Sequence, residues 1–333
     1  IDSNGLNYQG DDDSFTVEYG TDGTALRIVY SGATDGWIPT LDKTVEDVPS
    51  KGNQNGIFGF GNANKSMTNL VSNTGVMATD VTGVGTGRDG LGSTQYGGDK
   101  GIFAFGNSGS YVSMSNLVSN AGVVATDVSG VGTARTQMGS CSFGGSGGDK
   151  GIMAYGNTGS MVSLSNLVSN VGVVASDTTG VGTATKAVGA CEYGTDTAII
   201  AYGTAYISIS HLISNVGVVG ADVTGVGTGK QQLAACSYGY DKGIFGYGDV
   251  SGVVSTTNLV SNSGVVSTDV TGVGTARKNL VATEYGGDKG IFGFGYSSGY
   301  HAQTNLVSNA GVVATDTTGV GTARGDLGAC AYN

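Results

Sequence analysis

Imidazole is the commonest base and metal ligand near neutral pH, so the two histidines, His211 and His301, are the first side chains to weigh. His211 stands where five equivalent segments carry Asn69, Asn116, Asn166, Asn258 and Asn305, and His301 falls in a loop. A metal site needs clustered ligands, so lone histidines in separate segments point to packing or solvent. Cys141, Cys191, Cys236 and Cys330 share one position in a repeated strand, where two further copies have Thr94 and Thr283. Equivalent positions on separate copies lie too far apart for the ~5.5–6 Å Cα separation of a disulfide, so the four read as small buried side chains. Asp80, Asp127, Asp177, Asp222, Asp269 and Asp316 recur in the pattern D-x-T/S-G-x-G. Such a carboxylate caps local backbone N–H groups in an Asx-type turn; a cation-binding set of carboxylates is the other reading. The "DDD" at 11–13 reads as a solvated acidic run, with Ca²⁺ binding as its alternative. No G-x-S-x-G, H-E-x-x-H or EF-hand loop occurs. The expectation is a protein without catalytic residues, metal or cofactor.

The bulk composition narrows the function classes. Glycine supplies 62 of 333 residues and proline only two, with no collagen period and abundant β-branched residues. No apolar run approaches the length that crosses a bilayer, so membrane insertion is not expected. The chain begins at Ile1 with no signal-like segment, as a processed chain or a piece of a longer one would. The net charge of −11 is concentrated in residues 1–50, where ten acids face Arg27 and Lys43. A nucleic-acid reader carries a basic stripe, and none is visible. Both prolines and Trp37 also precede residue 50, which divides a 1–50 attachment segment and linker from a repeat domain at 51–333. "SFTVEYGTDGTALRIVYSG" at 14–32 reads as a hairpin about "TDGT".

Six copies fill the repeat domain. Asp99, Asp149, Asp196, Asp241 and Asp288 open successive ones, and subtracting neighbours gives spacings of 50, 47, 45 and 47. In "GIFAFG" at 101–106, Phe103 and Phe105 alternate with smaller residues at period two, as in a strand. The words around "NLVSN", "GVVATDV" and "LGACxYG" supply further short strands, and no segment has helical periodicity with caps. The large/small alternation lets neighbouring sheets interdigitate. The last "LGACxYG" word ends the chain with no aromatic strand after it, so it is expected to pair with the unmatched strand at 56–61. This predicts an all-β, six-bladed β-propeller of four-stranded blades.

The order of a basic residue, an inner strand, a short turn and an aromatic strand ending in glycine, as in "TARTQMGSCSFGGSGGDKGIMAYG" at 133–156, resembles kelch-type repeats. The double glycine and the spaced Tyr and Trp of that pattern are missing. A glycine-rich β-segment ending in "GWIP" ahead of repeated "NLVSN" words resembles virion appendage proteins of tailed phages, marine ones especially. That resemblance implies a virion or extracellular location, attachment to other virion proteins through residues 1–50, and a host-surface glycan or protein as partner. A purely structural decoration or assembly role is its alternative, with a polysaccharide-acting enzyme behind both.

Variation between copies concentrates in two places. One is the loop after the aromatic strand, which holds Lys65, Tyr111, Tyr206, Tyr296, Tyr300 and His301. The other is a triplet before each "LGACxYG" word: "RDG", "RTQ", "TKA", "KQQ", "RKN" and "RGD". It carries Arg88, Arg135, Lys230, Arg277 and Arg324, broken by Thr185. Tyrosines on a rigid scaffold offer flat contact area and a hydroxyl, so these eleven residues form the candidate ligand-binding face.

Overall fold

The computed structural model describes residues 6–7, 28–34, 36–39, 53–144 and 149–333. The chain divides into two compact units, residues 1–50 and 51–333. In the first, β1 (Ile28–Tyr30) pairs antiparallel with β2 (Trp37–Pro39), and the Tyr30 and Trp37 rings lie 5.4 Å apart. The "TDGT" turn, the "DDD" run and the acidic linker lie outside the described residues.

The second unit is built from β3 (Asn55–Gly61), β4 (Lys65–Val71), β5 (Gly92–Tyr96), β6 (Lys100–Ala104), β7 (Ser115–Val118), β8 (Gly139–Phe143), β9 (Lys150–Ala154), β10 (Ser165–Val168), β11 (Gly189–Tyr193), β12 (Thr197–Ala201), β13 (Ser210–Ile213), β14 (Ala234–Tyr238), β15 (Lys242–Asp249), β16 (Val253–Val260), β17 (Val281–Tyr285), β18 (Lys289–Gly293), β19 (Thr304–Val307) and β20 (Gly328–Tyr332). They form six antiparallel three-stranded sheets, in the orders β20-β3-β4, β5-β6-β7, β8-β9-β10, β11-β12-β13, β14-β15-β16 and β17-β18-β19. The first strand of each sheet packs beside the first strand of the next, and β20 lies beside β5.

These sheets overturn the expected architecture. Each has three strands, its outer edge met only by isolated bridges, and none is closed on itself by hydrogen bonds, so the six-bladed propeller of four-stranded blades does not hold. The reason lies in the segment after "SNxG". Thr68 bridges Val81 and Val71 bridges Met77, so Asn69 and Leu70 face the three residues Ala78, Thr79 and Asp80. One residue too many makes a bulge, which breaks the ladder into isolated bridges. The same bridges recur at Ser115–Val128 with Val118–Val124, and at Thr257–Val270 with Val260–Val266.

The middle strand of each sheet carries the core. Ile57, Phe58, Phe60, Phe103, Phe245 and Phe292 are fully buried, each contributing ~1.5–3 kcal/mol of transfer free energy. Large meets small between sheets: a Cβ on Gly59 would lie 2.9 Å from Phe103 Cζ, so only glycine admits that ring. The cysteines do the same job with sulfur. A Cβ on Gly243 would meet Cys191 Sγ at 2.5 Å, and one on Gly56 would meet Thr283 Cγ2 at 2.8 Å, which is why Thr and Cys interchange. All four cysteines are free and buried.

Candidate functional site

Each middle strand ends at an aromatic residue in the left-handed region: Phe60, Phe105, Tyr155, Tyr202, Tyr247 and Phe294, with φ of 60–68°. That conformation is costly for a residue with a Cβ, and it turns the aromatic carbonyl out of the strand. The repeated basic residue takes up this carbonyl. Arg88 Nε donates to Phe105 O at 2.8 Å, Arg135 to Tyr155 O at 2.9 Å, Arg277 to Phe294 O at 2.7 Å and Arg324 to Phe60 O at 2.8 Å. Each guanidinium also stacks on the aromatic of the preceding sheet, Arg88 over Phe60 at 4.3 Å and Arg277 over Tyr247 at 4.5 Å. Lys230 stacks on Tyr202 and donates to Asn258 Oδ1 at 2.7 Å. All five cations are 0% exposed. They belong to the packing between sheets, not to a ligand-binding face.

The repeated aspartates join the same packing. Asp127 accepts from Thr86 N and Thr86 Oγ1 of the preceding copy and from Asn116 Nδ2 of its own. Asp80 accepts from Thr322 in the same way. The carboxylates are therefore staples between copies, not caps of their own turns. Burial works to raise their pKa, but the hydrogen bonds outweigh it and leave Asp80, Asp127, Asp177, Asp269 and Asp316 below the ordinary value. At one junction two replacements fall together: Thr185, closing the third copy, stands for Arg, and His211, in the fourth, stands for Asn. The His211 ring packs on Tyr155 at 4.8 Å, where a guanidinium stacks elsewhere, and its Nε2 lies 2.7 Å from Asp222 Oδ1. Burial holds His211 below its usual pKa despite Asp222, so it is neutral at pH 7.

The third residue of each variable triplet builds something else. Gly90, Gln137, Ala187, Gln232, Asn279 and Asp326 are all left-handed, with φ of 53–58°. Gln137 N donates to Gly90 O, Ala187 N to Gln137 O, Gln232 N to Ala187 O, Asn279 N to Gln232 O, Asp326 N to Asn279 O and Gly90 N to Asp326 O, all at 2.8–2.9 Å. The cycle satisfies its own backbone and leaves the side chains free for other partners.

Four cavities succeed one another from this cycle along the first strands, each sharing wall residues with the next, with volumes of about 270, 100, 90 and 50 Å³. The widest is lined by Asp89, Asn107, Tyr111, Thr136, Gln137, Asn157, Asn279 and Asp326. Below it Leu91, Met138, Val188, Leu233, Leu280 and Leu327 make an apolar collar. The narrowest holds Gln95, Ser142, Glu192, Ser237 and Glu284. Burial, then the charge of Asp89, pushes Asp326 up to about 6 against the opposing Asn279 hydrogen bond and Lys278. Asp89 is raised by burial, opposed by a hydrogen bond from Asn107.

Among the tyrosines and neighbours expected to bind, only Tyr111 lines one of these cavities; its hydroxyl accepts from Asn157 Nδ2 at 2.9 Å. Tyr300 is exposed and stacks edge-on with Tyr296 at 5.1 Å. His301 pairs with Ser297 Oγ at 2.6 Å, Tyr206 is exposed and Lys65 opens β4. The structure adds Asp89, Gln137, Asn279, Asp326, Glu192 and Glu284, which the sequence reading passed over. Their signals were present, in the second and third letters of the triplets and in the only acids of the "LGACxYG" words.

No family model matches the chain, and no curated protein matches it. Among the described residues no three His, Cys, Asp or Glu side chains gather to hold a metal, and no helix is long and apolar enough to cross a membrane. The kelch-type resemblance falls with the open three-stranded sheets. The tailed-phage resemblance, and the virion and host-surface-binding function drawn from it, have neither a matching relative nor the expected architecture behind them, and are set aside with their structural and enzymatic alternatives.

Proposed function

We propose that the protein is a non-catalytic binding module that holds a small organic ammonium ion in the wide cavity. The observation that carries this is the pair Asp89 and Asp326. Both are partly desolvated, both line the cavity, and among the described residues no ion pair engages either. A buried carboxylate is stable when a cation satisfies it. The remaining walls are amides, a threonine and a phenol, which accept and donate hydrogen bonds, and Leu91 and Leu327 beneath offer surface for methylene groups. A volume of about 270 Å³ suits a molecule at the small end of ligand size.

The probe is putrescine, titrated calorimetrically at pH 6 in two buffers of different ionisation enthalpy. Binding should release part of a proton from Asp326, and D89N/D326N should weaken it at least about tenfold, since a charge-assisted hydrogen bond contributes ~1.5–3 kcal/mol. Equal affinity of wild type and variant, or no binding to wild type, refutes the proposal.

A further inference from the structure

Between the wide cavity and the narrow recess lies an apolar passage. Leu91, Met138, Val188, Leu233, Leu280 and Leu327 each follow the third letter of a triplet by one residue. All six line both intermediate cavities, of about 100 and 90 Å³. Each is anchored in a different core cluster between sheets, and none is more than 7% exposed. The collar is therefore fixed by the packing behind it, so an occupant meets a preformed wall and loses little to ordering it.

The collar is continuous with the wide cavity above it. Gly90, Gln137, Asn279 and Asp326 belong to the walls of both. Among the described residues Asp326 is the one ionisable side chain lining the two collar cavities, and it stands in that shared wall. At the lower end Ser93, Ser140, Ala190, Ala235, Ala282 and Ala329 narrow to small side chains, and beyond them Gln95, Glu192 and Glu284 restore polarity. The sequence of walls is thus carboxylate, aliphatic, small and polar. A polar occupant of the collar would leave its hydrogen bonds unmade there, whereas an apolar cavity takes up hydrocarbon.

We propose that the ligand is a linear alkylammonium ion, its ammonium group held by Asp89 and Asp326 in the wide cavity and its hydrocarbon tail inside the collar; this rests on the ammonium reading given above. Charge selects the head group. The two carboxylates at the mouth attract a cation and repel the carboxylate of a fatty acid, while the uncharged collar favours a tail that carries no second ion. The polar floor limits the tail, because carbons that pass the ring of Ser93, Ser140 and the four alanines enter a recess lined by Glu192 and Glu284 and gain no apolar contact. Each methylene that enters the collar leaves water and tightens binding ~4-fold, at ~0.8 kcal/mol per buried CH₂.

The test is calorimetry of the full chain at pH 7.5 with n-butylamine, n-hexylamine and n-octylamine, at two temperatures. Affinity should climb ~4-fold per methylene, and the heat capacity change of binding should become more negative along the series. The uncharged n-octanol should bind at least about tenfold more weakly than n-octylamine, for want of the charge-assisted hydrogen bond. Ala235→Leu adds a bulky side chain to the lower ring, so in that variant n-octylamine should bind no tighter than n-hexylamine; if it fails to fold, Ala282→Leu decides in the same way. Equal affinity of n-butylamine and n-octylamine, n-octanol matching n-octylamine, or a variant series as steep as that of wild type would each overturn this inference, while putrescine binding would still uphold the ammonium reading. Absence of binding by every amine, putrescine included, would overturn both.

Discussion

The paired replacement at Thr185 and His211 offers a sharp test of how the sheets are joined. In the other copies a buried cation bonds or stacks at this place, and the residue equivalent to His211 is Asn. Thr185→Arg alone forces a guanidinium into space the His211 ring already occupies against Tyr155, and overpacking of this kind costs ~1–3 kcal/mol. His211→Asn alone removes that ring contact, worth ~0.5–1.5 kcal/mol, and leaves a void that Thr185 cannot fill. The double variant recreates the arrangement at Arg277 and Asn305, where the guanidinium also donates to Asn305 Oδ1 at 2.7 Å. It further removes two buried atoms without partners, Thr185 Oγ1 and His211 Nδ1, each a liability of ~1–3 kcal/mol. The singles should therefore destabilise by about 1–3 kcal/mol each, and the double should match or exceed wild type, a coupling of about 3 kcal/mol or more. Guanidinium chloride unfolding of the four proteins measures it. Effects that add to within ~0.5 kcal/mol would refute the shared-space reasoning.

Further perturbations follow from the same contacts. The stapling aspartates are depressed below their unfolded pKa, so their stabilisation is present above about pH 4 and is lost as the pH falls through the folded values. Asp127→Asn should cost about 1 kcal/mol at pH 7, because the site is partly exposed, and almost nothing at pH 2; melts across pH 2–7 test both limits. Glu192 has the opposite sign. Its pKa, raised by burial and then by the charge of Glu284, contributes stability below about 4.5 that disappears as the pH climbs toward about 8, so wild type should lose melting temperature over that window and E192Q, which keeps only the raised Glu284, should lose less. Cys236→Thr should change stability by less than ~1 kcal/mol, since Thr94 and Thr283 fill the equivalent place, whereas Cys236→Leu should overpack against Gly290.

The strands and their repeat were readable from local pattern, because period-two alternation in "GIFAFG" and glycines opposite rings are properties of single segments. The fourth strand was not. "GVVATDV" has strand composition, yet whether it forms a ladder depends on counting residues between bridges such as Val118–Val124 and Ser115–Val128, which only the pairing reveals. Arg88 and its equivalents open the variable triplets and so read as solvent-facing. Their burial depends on carbonyls such as Phe105 O, turned inward by left-handed aromatics, a backbone property the sequence does not spell out. Asp89 with Asp326, and Glu192 with Glu284, come from copies far apart in the chain; their meeting is a product of how the sheets associate. Variation between copies picks out Tyr111, which lines the wide cavity, and equally Tyr206, Tyr296 and Tyr300, which line none of the four.

The most direct test of the central claim is the ionisation of Asp326 itself, followed by carboxyl ¹³C NMR with and without putrescine. The account predicts a free carboxyl titrating near 6, displaced downward when the ammonium ion occupies the cavity. A value near the ordinary 3.8 that putrescine leaves unchanged would contradict it.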